Sequence, residues 1–177
     1  MYPAPLRSYL LYLAQTGLFR ARWTAQIHDE WIRNLIKNNP SLDRNRLERT
    51  RQLMDAHMPD CLVEGYEFLV ESIELPDAND RHVVAAAIKG QAEGIITFNL
   101  KDFPDEKLAT YELSAIHPDT FLADMFELSP SAAIQAAQYQ RSSLKNPPMT
   151  VDNYLDCMLR QKLPVFVSKL RTFEKII

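Results

Sequence analysis

Residues 75–103, which read LPDANDRHVVAAAIKGQAEGIITFNLKDF, contain several polar side chains whose oxygen atoms could bind a metal ion. Asp77 and Asp80 stand where a helix is predicted to begin, and Asn99 and Asp102 follow a predicted strand. Carboxylate and amide oxygens without a cysteine or histidine cluster suit a hard cation such as Mg²⁺ or Mn²⁺. Such an ion lowers the pKa of a bound water and stabilises charge on a phosphate. Metal-assisted phosphodiester hydrolysis is therefore the first enzymatic hypothesis.

The same four side chains also have a structural interpretation. Asp77 is well placed to cap the helix, and Asp80 lies in its first turn, where a carboxylate favours the exposed amides and the positive end of the helix dipole. Asn99 and Asp102 also suit a turn. Spacing alone therefore leaves both capping and catalysis open.

A buried helix and a buried strand are expected to position these side chains. Residues 83–88 are nearly all small or apolar, which predicts a helix packed between other elements. Residues 94–98 form a continuous apolar run, which is typical of a strand that a parallel sheet buries on both faces. Asn99 is then expected at the carboxyl end of a central strand, the edge at which open α/β sheets bind ligands.

Helices and short strands alternate along residues 1–128, and this alternation predicts an α/β fold with a mainly parallel sheet. The apolar periodicity and the capping residues predict helices over 5–16, between Thr24 and Pro40, over 43–56, from Asp77, and over 118–126. Short strands are predicted over 18–23, 61–63, 94–98 and 112–116.

Residues 129–177 are helical by pattern throughout. Helices are predicted over 129–143, over 150–161 and from Pro164. We therefore predict an α/β domain over residues 1–128 and a helical C-terminal extension over 129–177. The apolar side of the extension is expected to fold back on the domain or to meet a partner.

Charge is distributed unevenly around a net value of −3. Residues 33–51 carry six Lys or Arg against two acids, residues 52–128 carry four against sixteen, and residues 129–177 carry seven against three. An acidic centre thus lies between two basic arms. Either these are solvated helix faces, or the arms hold a polyanion while the acids hold a cation that offsets phosphate charge.

Composition limits the class of protein. With 177 residues, of which 46% are hydrophobic, the chain fits one globular domain with an appendage. No apolar run is long enough for a membrane span and the start lacks a signal-peptide pattern, so the protein is expected in the cytoplasm. Cys61 and Cys157 are expected to be reduced, packed thiols, and the four scattered histidines to lie at surface or capping positions.

Glu30 is a further acid, and the helical pattern alone gives it no special role. On a helical wheel it lies away from the apolar stripe of its helix, beside Arg33 and Lys37. By pattern it is an ordinary surface glutamate.

Five segments of the chain resemble PIN-domain proteins of the VapC toxin type, in the branch that carries a helical C-terminal extension. The segments are YPAPLRSYLLYLA, WTAQIHDEWIRNL, LPDANDRHVVAAAI, IITFNLKDFP and LKNPPMTVDNYL, and DxxDRHVxAAA followed by TFNLKDFP is a specific combination. The resemblance covers nearly the whole chain. It implies a three-layer α/β/α fold around a five-stranded parallel sheet, endoribonuclease activity that depends on Mg²⁺ or Mn²⁺, an RNA substrate and a cognate antitoxin protein as partner.

The resemblance also implies site residues. The family's glutamate after the second strand corresponds to Glu30, its aspartate at a helix start to Asp80, and its aspartate or asparagine after the fourth strand to Asn99. Asp102 is then a nearby second carboxylate, and Asp77 supports the set from outside it. The expected catalytic and metal-binding set is Glu30, Asp80, Asn99 and Asp102.

One part of the family pattern has no counterpart here. The family's first strand, with an aspartate ligand at its end, would precede Tyr2, so the PIN-like domain is expected to be N-terminally incomplete. The alternative function is a catalytically impaired PIN-fold module that binds antitoxin or RNA without cleaving. Because the first strand is absent, the chain is expected to be poorly stable alone, or to compensate by forming a homodimer or by shifting strands. A small-molecule phosphatase has less support, because the chain shows no phosphate-binding glycine loop or nucleophile motif.

Overall fold

The structure is a computed structural model that describes residues 3–177. Ten α-helices and two β-strands make up most of this part of the chain. The helices are α1 (Ala4–Ala14), α2 (Ala25–Asn38), α3 (Arg44–His57), α4 (Glu67–Val70), α5 (Arg81–Lys89), α6 (Asp105–Leu108), α7 (Pro118–Leu128), α8 (Pro130–Ser143), α9 (Val151–Leu159) and α10 (Pro164–Arg171). The strands are β1 (Gly94–Ile96) and β2 (Ser114–Ile116). The predicted helices are confirmed, with ends that differ by a few residues.

Side-chain caps start four of the helices where the sequence predicts them. Thr24, Asp43, Ser129 and Thr150 each accept a hydrogen bond from a backbone N–H group at the start of α2, α3, α8 and α9, respectively. Such a bond satisfies one of the donors that the first turn of a helix leaves free. These helix starts are therefore set by local sequence.

The described residues pack as two compact units, a first unit of residues 21–116 and a second unit of residues 3–20 together with 117–177. In the first unit β1 and β2 pair in parallel, with Gly94 opposite Ser114. Helices α5 and α6, which precede β1 and β2 in sequence, belong to the same unit, whereas α7, which follows β2, belongs to the second unit. The predicted α/β class with a parallel sheet is confirmed.

The sheet is smaller than the sequence predicts. The segments 18–23 and 61–63 meet only in an isolated parallel bridge between Trp23 and Leu62, with backbone hydrogen bonds of 2.9 and 2.8 Å. The strand predicted over 18–23 is therefore wrong in extent, as is the one over 61–63. Within residues 3–177 the strand pairing amounts to one two-stranded sheet and two isolated bridges, the second between Lys145 and Pro148, instead of the five-stranded sheet that the resemblance implies.

Helix α5 is buried, as its composition predicts. Its residues 84–87 are at most 8% exposed, and they share an apolar core with Ile95 of β1. Gly90 follows α5, and a Cβ atom there would lie 3.0 Å from both the backbone oxygen of Ala86 and Cγ2 of Val63. This close approach means that a side chain at position 90 would push against its neighbours, so glycine suits the turn that leads from α5 to β1.

Two histidines that the sequence places at surface or capping positions are buried instead, since His28 is 0% and His82 is 3% exposed. On α2, Nε2 of His28 lies 2.9 Å from Asp55 Oδ1, and its Nδ1 accepts a hydrogen bond of 2.8 Å from Trp31 Nε1. Burial lowers the pKa of His28, so the neutral ring donates through Nε2 to Asp55. The prediction is wrong for His28 and His82, whereas His117 caps α7 as predicted.

The second unit packs α1 with α7, α8, α9 and α10 around its own apolar core. Polar side chains link these helices inside the core. Tyr9 donates a hydrogen bond of 2.9 Å to the carbonyl of Ala133, while Gln140 donates one of 2.7 Å to the carbonyl of Pro5 and accepts one of 2.8 Å from Tyr154. The C-terminal helices therefore fold back on α1, an earlier part of the chain.

Asp119 on α7 fixes the start of α10. It is 6% exposed, and its two carboxylate oxygens accept hydrogen bonds of 2.8 Å from the N–H of Phe166 and 3.0 Å from that of Val165. Helix α7 thus packs with the C-terminal helices, and the packing units divide after Ile116. The domain division after Leu128 stays a prediction.

Two expectations from composition can be compared with the structure. Cys61 and Cys157 are both free thiols, and Cys61 is buried, so the prediction of reduced cysteines is confirmed for these positions. In the described part of the chain, none of the helices combines the length and the apolar character that crossing a bilayer requires.

Candidate functional site

Glu30 lies on α2 and contacts the first turn of α5. Its side chain is 31% exposed, and its Oε1 lies 3.0 Å from Nε2 of His82. Gln26, one turn earlier on α2, donates a hydrogen bond of 3.5 Å to the same oxygen. Glu30 is therefore half-buried and touches a second element, unlike the solvated surface position that the helical wheel predicts.

Asp77 and Asp80 differ in how far capping explains them. Asp77 Oδ1 accepts a hydrogen bond of 2.9 Å from the N–H of Asn79, at the start of a 3₁₀ turn, Ala78–Asp80, that leads into α5. Asp80 occupies the N-cap position of α5, but its side chain makes no capping hydrogen bond. The structural interpretation thus accounts for Asp77 and leaves the carboxylate of Asp80 available for another role.

Asn99 precedes, and Asp102 ends, the 3₁₀ turn Leu100–Asp102 that follows β1. The N–H of Asn99 donates a hydrogen bond of 3.0 Å to Thr97 Oγ1, and its side-chain amide donates to Asp102 Oδ2. The predicted turn is confirmed for this pair. In the described part of the chain the amide oxygen of Asn99 accepts no hydrogen bond, so it remains available to a ligand.

The acids of these three segments act together on the pKa of Asp80. Burial raises the pKa of Asp80, and the charges of Asp77, Asp102 and Glu30 raise it further, whereas His82 lowers it. Like charges in a half-buried place disfavour ionisation, and a cation would offset their repulsion. The fold therefore brings acids from α2, from the start of α5 and from the turn after β1 close enough to interact.

The side-chain oxygens of the predicted ligands are chemically suited to a hard divalent cation. All of the predicted ligands offer oxygen, the donor that Mg²⁺ and Mn²⁺ prefer, and the repulsion at Asp80 is of the kind that a cation relieves. Two of the acids are engaged by neighbours, Glu30 by His82 and Asp102 by Asn99. In their present positions, no three His, Cys, Asp or Glu side chains among residues 3–177 are grouped so that they could hold a metal ion.

His82 is the residue of this neighbourhood that sequence analysis missed. The sequence feature that could have drawn attention to His82 is its position two residues after Asp80, at the predicted start of a helix. Its close polar contact is with Glu30, which comes from an element far earlier in the chain. Residue spacing does not reveal such a contact.

Comparison with known proteins extends the sequence resemblance. Residues 3–101 match the family described as PIN domain, and this range includes Glu30, Asp80 and Asn99 and ends just before Asp102. A protein of Mycobacterium tuberculosis named "Putative ribonuclease VapC50" is 38% identical over 107 residues, which make up 60% of this chain and 62% of that relative. The alignment thus spans less than two thirds of the relative's length. No solved structure gives a significant match to the chain.

The N-terminal and C-terminal parts of the chain match two different families. The PIN-domain match covers more than half of the chain, and residues 118–172 match the family described as VapC50 C-terminal domain. The resemblance seen in the sequence is thereby confirmed. The chain belongs to the PIN-domain family, with a C-terminal extension of the VapC50 type.

Proposed function

We propose that the protein is a metal-dependent endoribonuclease of the toxin–antitoxin type, acting in the cytoplasm on the phosphodiester bonds of RNA. The contact of 3.0 Å between Glu30 and His82 is the main structural support, because it brings an acid of α2 to the helix start that carries Asp80. The relative's printed name supports RNA as the substrate class.

In this proposal Glu30, Asp80, Asn99 and Asp102 hold Mg²⁺ or Mn²⁺. The bound cation supplies a water of lowered pKa and positive charge beside the scissile phosphate. Asp80 contributes a carboxylate that no helix cap occupies. Asp102 Oδ2 accepts a hydrogen bond from the side-chain amide of Asn99, which leaves the amide oxygen of Asn99 for the cation. Asp77 holds the 3₁₀ turn through its bond to Asn79.

The test is cleavage of a single-stranded RNA oligonucleotide by the purified chain in Mn²⁺. We expect cleavage that EDTA abolishes and that Glu30→Gln or Asp80→Asn lowers by at least about 100-fold, since loss of a ligand costs more than loss of a residue that only orients one. Asp105→Asn removes an exposed carboxylate at the start of α6 and should leave the rate unchanged. Cleavage that persists in EDTA, or in Asp80→Asn, would contradict the proposal.

A second candidate is a PIN-fold module that binds RNA or an antitoxin without cleaving. It has specific support, because no three acidic, histidine or cysteine side chains in the described chain form a ready metal site. Filter binding of the same oligonucleotide separates the two candidates. Retention of RNA without cleavage at millimolar Mn²⁺ would favour the binding module, and cleavage would exclude it.

A cognate antitoxin and a homodimer are the proposed protein partners. Co-expression with the product of an adjacent gene, followed by co-purification and a cleavage assay, tests the first. Loss of RNA cleavage in the purified complex is the expected result, and a complex that cleaves at the same rate would argue against an antitoxin. Light scattering of the chain alone tests the homodimer.

A further inference from the structure

His82 is a buried imidazole whose hydrogen bonding is incomplete. It is 3% exposed, and within residues 3–177 neither ring nitrogen has a hydrogen-bond partner of good geometry. Nε2 nevertheless lies 3.0 Å from Glu30 Oε1. Buried polar groups are seldom left in this condition without a functional or structural reason.

The other buried histidine of the first unit shows what full satisfaction looks like. Both ring nitrogens of His28 have partners, with Nε2 facing Asp55 at 2.9 Å and Nδ1 accepting from Trp31 at 2.8 Å. His28 therefore behaves as a member of a closed buried network. His82 instead points its one close contact at an acid of the candidate site.

The contacts on Glu30 are all made to one of its two carboxylate oxygens. His82 approaches Oε1 from α5, and Gln26 donates to Oε1 from α2, while Tyr66 in turn donates a hydrogen bond of 3.2 Å to Gln26. Oε2 accepts no hydrogen bond in the part of the chain that the structure describes. The carboxylate is thus held on one side and open on the other.

We propose that His82 is a positioning residue, which holds Glu30 through Oε1 and thereby presents Oε2 to a divalent cation beside Asp80. This role rests on the proposed function, since it assigns His82 to the same cation site. A residue that orients a metal-binding carboxylate typically contributes about 10- to 100-fold to metal affinity. His82 suits this role because it lies two positions after Asp80 and so links the two acids from distant parts of the chain.

The test measures the affinity of the full chain for Mn²⁺, with free Mn²⁺ detected by electron paramagnetic resonance. We expect two variants to weaken Mn²⁺ binding about 10- to 100-fold. His82→Leu has no hydrogen-bond donor, and the shorter amide of His82→Asn reaches only the position of Nδ1. His82→Gln places an amide N–H near the position of Nε2 and should remain within a few fold of wild type. Val84→Ala shortens a fully buried side chain on the same helix and controls for lost stability. It should lower Tm without changing the Mn²⁺ affinity.

A double-mutant cycle shows whether His82 acts through Glu30. In a Glu30→Gln background, His82→Leu should cause little further loss of Mn²⁺ affinity. Equal losses in both backgrounds, no rescue by His82→Gln, or an unchanged affinity in His82→Leu would overturn the positioning role while leaving the cation site intact. Failure of the wild-type chain to bind Mn²⁺ would overturn the proposed function itself and the role of His82 with it.

Discussion

At the scale of single residues, Asp80 is the acid at which the proposed cation binding and the stability of the metal-free fold make opposite demands. Burial and three neighbouring carboxylates raise its pKa, so the metal-free fold resists its ionisation. A neutral side chain of the same shape should relieve that repulsion. Functional sites often hold such conflicts at the cost of stability.

We therefore expect Asp80→Asn to raise Tm in EDTA at pH 7 while it abolishes most RNA cleavage. Calorimetry of the variant and the wild type in EDTA measures the first effect. Asp105→Asn, the exposed control, should leave Tm nearly unchanged. A Tm for Asp80→Asn below that of the wild type would mean that its carboxylate stabilises the metal-free fold.

The two cysteines should differ in reactivity at mildly alkaline pH. Cys61 is 3% exposed, and burial, with a contribution from the charge of Asp55, raises its pKa to about 11. Only about one Cys61 in a thousand is then a thiolate at pH 8, which is the form that reacts with alkylating agents. Iodoacetamide followed by mass spectrometry should label the more exposed Cys157 first, and both equally in guanidinium chloride. Faster labelling of Cys61 in the native protein would contradict its burial.

Sequence reasoning at this scale succeeds where a role is local and fails where it is not. Asp77 caps a turn two residues away and Thr24 caps its own helix, so their contacts follow from spacing. The polar contacts of His28 and His82 are made to Asp55 and Glu30, which come from other elements. A polar residue's burial depends on such partners, which a single sequence does not reveal.

At the scale of elements, Asp119 is the polar side chain on which the start of α10 depends. Both of its oxygens accept backbone N–H groups of that helix, at 2.8 and 3.0 Å. We expect Asp119→Ala to destabilise the second unit by about 1–3 kcal/mol, because two buried donors lose their partner. Hydrogen exchange of the amides of Val165 and Phe166 reports the change directly. Asp124→Ala, an exposed position on the same helix, should leave their protection unchanged.

The helices of this chain are predictable from sequence, whereas two of the four predicted strands do not form in the described residues. Periodicity and capping residues act within a few positions, and every predicted helix is present. A strand requires a partner from elsewhere, and the segments 18–23 and 61–63 have similar apolar patterns yet form only one bridge. Residues 94–96 and 114–116 do pair in parallel, so the class of sheet was predictable even though its extent was not.

At the scale of the whole molecule, the order of packing departs from the order of the chain. Helix α1, near the start, shares an apolar core with helices α7 to α10 at the end. Because this core combines segments from both ends of the chain, the sequence of each segment alone does not show which other segment it packs against. The pattern of residues 129–177 therefore predicts their helices but not the contacts with α1 and α7.

A fragment experiment tests which pieces of the second unit fold alone. The C-terminal fragment 129–177 lacks both α1, which packs on α8 and α9, and α7, which packs on α8 and α10. We expect this fragment to be weakly helical by circular dichroism and to unfold without a cooperative transition, because the isolated helices would expose their apolar faces. Mixing it with fragment 1–128 should restore helical signal and cooperativity, while adding the same 1–128 fragment with Tyr9→Asp should not. Cooperative unfolding of 129–177 alone would show that the predicted division after Leu128 marks an independent domain.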